Sequence, residues 1–156
     1  MIRFSRGFMT GAVLIAMVAG AGGCANQQGG TVGDLSRAAS AASSAASTGR
    51  VAMELLIADK STATVTDIAL LNSLSESQDA ETAAATAVVE TAGEQRTRTK
   101  ALKAIRSGTS AIVAARAVVS VGNLESSRTA AAGAVKQLAA SADALSTLAD
   151  RLEAAK

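Results

Sequence analysis

At the C-terminal end of the chain Leu124, Ala131, Leu138, Leu145 and Leu152 recur every seven residues, with Val135, Ala142 and Ala149 in the intervening slots. A seven-residue apolar repeat keeps one stripe of a helix turned toward a neighbour, so this stretch predicts a coiled-coil-like seam on a helix over about 124–155. Asn123 is a suitable N-cap for it, and Gly122 can end the helix before it.

The same pattern returns in smaller residues near the other end. Leu35, Ala39, Ala42, Ala46, Gly49, Met53 and Leu56 step by four and three without a break, which predicts a first helix with a narrow, close-packing seam. Lys60 to Thr64 interrupts the apolar series, and Thr64 with Asp67 reads as a capping box opening a second helix over about 65–92. Between Ser73 and Gln78 Leu74 is the only apolar residue, so a kink or break is expected there. Gly93 marks the next turn, and a third helix follows over about 97–121 with Ala101, Ile105, Gly108, Ile112, Ala115 and Val119 on its buried face.

Composition agrees with helices throughout. The chain has no proline, its two phenylalanines are Phe4 and Phe8, and from residue 24 onward 34 of 133 positions are alanine. Alanine is the best helix former and proline the strongest breaker. Charge then selects neighbours: Ser61 to Gln95 holds six acids and no base, while Arg96 to Leu124 holds six bases and no acid. The second and third helices should therefore pack side by side. The expected fold is all-α, an antiparallel up-down four-helix bundle with alanine-rich seams, about 40 Å long.

The first 23 residues have a different character. A cationic start with Arg3 and Arg6 precedes an apolar run from Phe8 to Gly23 in which Thr10 is the only polar residue. At 16 residues the run is shorter than the roughly 20 that span a bilayer, so it reads as a signal peptide. It ends in Ala21-Gly22-Gly23-Cys24, which resembles the lipobox of bacterial lipoproteins. That resemblance implies cleavage before Cys24 and acylation of Cys24 with palmitate-type chains, each buried CH₂ contributing about 0.8 kcal/mol of membrane affinity. Ala25 stands where an aspartate signals inner-membrane retention in that family, which implies the outer membrane, facing the periplasm. Residues 24–32 read as the acylated cysteine with a small, polar, glycine-bearing tether, and 33–156 as the bundle.

Beyond residue 23 bases and acids balance at 13 each, which argues against nucleic acid as partner. Histidine is absent and Cys24 is the only cysteine, so imidazole and cysteine catalysis and the usual zinc sites are excluded. No catalytic residue, metal site or cofactor is expected. Glu76 with Asp79 and Glu90 with Glu94 share helix faces, but a di-iron bundle needs Glu-x-x-His, so they read as solvated acids.

Arg96, Arg98, Lys100, Lys103 and Arg106 form the candidate site for an anionic ligand such as lipid phosphate, lipopolysaccharide or peptidoglycan carboxylates. The acidic second helix is their alternative partner. Lys156 ends the chain; in plan this resembles the major murein lipoproteins, whose terminal lysine is coupled to peptidoglycan, although a cation also suits a helix C-terminus. The expectation is a non-catalytic envelope lipoprotein, a scaffold, spacer or docking partner, held by the membrane through Cys24 and meeting an envelope protein, peptidoglycan or further copies of itself. A lipid-binding helical lipoprotein is the alternative.

Overall fold

A computed structural model describes residues 29–120 and 124–155, the side chains of 124–127 excepted. The leader, Cys24, the Gly122–Asn123 junction, the side chain of Leu124 and Lys156 lie outside the described residues. Four helices follow one another: α1 (Gly30–Ile57), α2 (Ala63–Thr86), α3 (Ala92–Ser120) and α4 (Leu124–Glu153). Consecutive helices pack together, α4 closes back onto α1, and α1 also reaches α3 across the diagonal. Among the described residues α2 and α4 do not touch. This is the all-α four-helix bundle that the repeats predicted, and no described helix is long and apolar enough to cross a membrane.

All seven positions of the first seam are buried, as are the six named on α3. On α4, Ala131, Leu138, Ala142, Leu145, Ala149 and Leu152 are buried, while Val135 packs against the core from its edge. Two apolar clusters fill the bundle: Met53, Leu70, Ile112 and Leu138 belong to one, and Leu35, Ile105, Leu145 and Leu152 to the other, at the end where α1 begins. Glycines admit the leucines. A Cβ at Gly49 would lie 3.3 Å from Leu70 Cδ2 and 3.7 Å from Leu138 Cδ2, and one at Gly108 would lie 3.0 Å from Leu145 Cδ1.

Small hydroxyls bring backbones together as well. Ser36 and Ser43 of α1 donate to the carbonyls of Ala149 and Ala142 of α4, at 3.1 and 2.9 Å. The two serines are one heptad apart and so are their acceptors, so the bonds form rungs along the α1–α4 seam.

Several boundaries differ from the sequence reading. α1 begins at Gly30, inside the expected tether, because Gly29 (φ 116°) and Gly30 (φ 53°) adopt left-handed angles that only glycine takes freely. The cap of α2 is Thr62, whose hydroxyl accepts from Val65 N–H, so Thr64 lies within the helix and Asp67 is left to pair with Arg116. α2 runs unbroken through 73–78, with Ser73 and Ser77 facing inward: Ser77 Oγ lies 2.8 Å from Thr109 Oγ1, which supplies the polar partner a buried hydroxyl needs.

α2 ends at Thr86 rather than near 92, and Gly93 is helical. The turn precedes it, closed by a reciprocal capping box. Thr91 Oγ1 accepts from Glu94 N–H at 3.1 Å, and the Glu94 carboxylate accepts from Thr91 N–H at 2.9 Å.

Candidate functional site

The antiparallel order places the N-terminal half of α3, which carries the basic run, beside the C-terminal half of α2. Two of its five cations are consumed there. Arg106 Nε pairs with Glu81 Oε1 at 2.6 Å, and Arg98 donates to the carbonyls of Ala87 (3.1 Å) and Ala85 (3.4 Å), groups left unsatisfied as α2 ends. One helical stretch further along, Arg116 Nε meets Asp67 Oδ1 at 2.7 Å. The acidic and basic helices thus meet through two ion pairs and a cation-capped helix end.

Arg96, Lys100 and Lys103 are exposed and have no carboxylate partner among the described residues. Lys100 borders a shallow groove of about 470 Å³ with Ala104 of its own helix and Ala144, Leu148, Asp143 and Arg151 of α4. On the opposite side of the bundle a larger open groove, about 720 Å³, runs between α1 and α2. Alanines 38, 41, 80 and 83 form its floor, and Asp34, Arg37, Glu76 and Asp79 stand along its walls. Asp34 is bonded to Arg37, which leaves Glu76 and Asp79 as the free carboxylates of that groove.

The other acid pair of the sequence separates into distinct roles. Glu94 is held below the ordinary glutamate range first by the Glu90 N–H, then by the Thr91 hydroxyl and N–H, all bonded to its charged form. A lowered pKa means that the cap is fully formed at neutral pH and is lost as the pH falls through that lowered value. Thr91-x-x-Glu94 was visible in the sequence, and the glycine between them obscured it. Among the described residues no group of acids is placed to hold a metal ion.

Reversing Arg106 and Arg116 to Glu should remove both interhelical pairs and set like charges across the α2–α3 seam. A loss of about 1 kcal/mol per pair is expected, seen as a lower melting temperature by circular dichroism and narrowed by added salt. Lys103→Glu, at an exposed site without a partner, should melt like the parent protein. Equal melting of all three proteins would show that charge does not hold these helices together.

No family of known proteins, no curated protein and no solved structure matches the chain.

Proposed function

We propose that this chain is an exported lipoprotein of the cell envelope, anchored through acyl chains on Cys24, whose helical bundle serves without catalysis as a scaffold, spacer or docking partner. The observation that carries the reading is the Ala21-Gly22-Gly23-Cys24 sequence directly behind a cationic and apolar leader. The fold is compatible with it: α1 begins at Gly30, so five residues separate Cys24 from the bundle and reach at most about 18 Å when extended. Ala25 supports the outer membrane.

The close-packed core supports a spacer. Its seams are filled by alanine and glycine opposite leucine, and the α1–α2 and α3–α4 grooves are open ones rather than the enclosed space that an acyl chain would need. A second reading, a protein that shelters acyl chains, draws on the open α1–α2 groove and the exposed Val51 and Leu55 at its far end.

The intact mass of the protein from the membrane fraction tests the proposal. The expected product lacks the first 23 residues and carries acyl chains on Cys24. An unmodified cysteine in a membrane-bound chain that keeps its leader would overturn it.

A further inference from the structure

The folded chain divides its charge between two halves. Residues 29–86, which hold α1 and α2, carry seven acids and three bases, a net charge of −4, whereas residues 92–155, which hold α3 and α4, carry five acids and nine bases, a net charge of +4. The pairs Arg106–Glu81 and Arg116–Asp67 neutralise only the seam between α2 and α3. What remains lies on opposite sides: Glu76 and Asp79 in the α1–α2 groove, Arg96, Lys100 and Lys103 on the exposed side of α3 and along its groove with α4.

Apolar exposure is divided in the same way. Val51, Leu55, Val65, Ile68 and Leu71, five of the seven large apolar side chains that the described residues expose, belong to α1 and α2. They lie toward the α1–α2 turn, Leu71 on the α3 side of α2 one turn from Asp67, and Val51 and Leu55 line a second stretch of groove with Ala52 and Ala69. The α1–α2 face is therefore acidic over one half and apolar over the other. The α3–α4 face is basic toward the start of α3, where Lys100, Lys103 and Arg151 outnumber Asp143, and about 10 Å further along, opposite the level of the acids, it presents a shallow groove of small residues that includes Ser107, Ala111 and Ala140.

We propose that the α1–α2 face docks against the α3–α4 face of a second copy of this chain. With the two copies side by side in the same orientation and one displaced by about 10 Å along the bundle axis, Glu76 and Asp79 of one come level with Lys100 and Lys103 of the other, while the exposed valines and leucines cover small side chains. Each face is two helices wide and about 40 Å long, of which about 30 Å is shared in this register, roughly 600 Å² per partner, the lower end of the range for a stable interface.

Charge also rules on symmetry. A two-fold dimer of parallel copies through the α1–α2 face would set Glu76 and Asp79 against themselves, a like-charge contact, whereas the contact from one face to the other meets opposite charge and leaves each copy a free face for the next. Acylation of Cys24 is not required for this inference.

Two differently tagged full-length copies, co-expressed and treated in isolated envelopes with a zero-length carbodiimide that joins lysine to carboxylate, test the inference. The expected result is a cross-tag product in which Lys100 or Lys103 is joined to Glu76 or Asp79, declining as salt is raised. The variant Glu76→Lys with Asp79→Lys and the variant Lys100→Glu with Lys103→Glu should each lose the association when present alone, by about tenfold or more. Co-expressing the two variants should restore it, because each then supplies the face that the other lacks; this is read by co-purification through the tags. Circular dichroism checks that both variants keep their helices, and glutamine at the same four positions, weakening without repelling, serves if either does not. Absence of a cross-tag product, a product that survives both reversals, or variants that associate normally but lose retention on vesicles containing anionic phospholipid would overturn the inference, the last by making the basic face a lipid site.

Discussion

Leu138→Ala should destabilise the bundle by about 2 to 5 kcal/mol. Leu138 is fully buried, and its methyl groups lie where a side chain of residue 49 would begin, at 3.7 and 3.8 Å from that point. Truncating it leaves a cavity facing a glycine, which has no side chain to move in, so relaxation must come from the backbones of α1 and α4. In a core composed mostly of alanine such a loss is a large share of the 5 to 15 kcal/mol that typically holds a domain together. Denaturant unfolding followed by circular dichroism measures it. A cost below about 1 kcal/mol would mean that the seam is loosely packed and that neighbours fill the space.

The opposite change separates a spacer from a lipid carrier. Ala142 is buried on α4, and its carbonyl accepts the Ser43 hydroxyl of α1, so the two backbones are held too close to admit a longer side chain. Ala142→Leu should force them apart, break that bond and cost about 1 to 3 kcal/mol. Thermal unfolding with and without phospholipid vesicles gives the comparison. Destabilisation with no response to vesicles supports the scaffold. Unchanged stability, with helices that rearrange on vesicles, would replace it with a protein whose seams open onto acyl chains.

The heptads were readable because burial along them depends on residue size and spacing alone. Leu35 to Leu56 and Ala131 to Leu152 needed no knowledge of the partner helix. The α2–α3 pairing was readable for a similar reason, since an acidic stretch and a basic stretch are complementary in any register, although of the six acids Asp67 and Glu81 are the ones that meet a base across the seam. Buried hydroxyls were not. Ser36, Ser73 and Ser77, with the half-buried Ser43, look like surface residues until the helix that each faces is known. For that reason 73–78 suggested a break where the helix continues. The start of α3 was misplaced by weighing Gly93 above Thr91 and Glu94, although a reciprocal pair of hydrogen bonds fixes a helix start more firmly than one flexible residue does. Of the candidate cations, Arg98 and Arg106 proved to hold α2, which sequence spacing cannot distinguish from the free Arg96, Lys100 and Lys103.

The uneven contacts of α2 bear on how the molecule opens. α1, α3 and α4 all touch one another, whereas α2 reaches only α1 and α3. Toward them it fully buries Leu70 as its one large apolar side chain and half-buries Leu74, with Thr66, Ser73, Ser77 and alanines for the rest, and the Ser73 hydroxyl has no hydrogen-bond partner among the described residues. Burial of hydroxyls contributes little beside burial of leucine, so α2 is the cheapest helix to lift, and the three that remain still form a mutually packed trio. Opening is thus graded rather than all-or-none: amide exchange and proteolysis would enter through α2, above all in the stretch around Ser73, while α1, α3 and α4 stay protected.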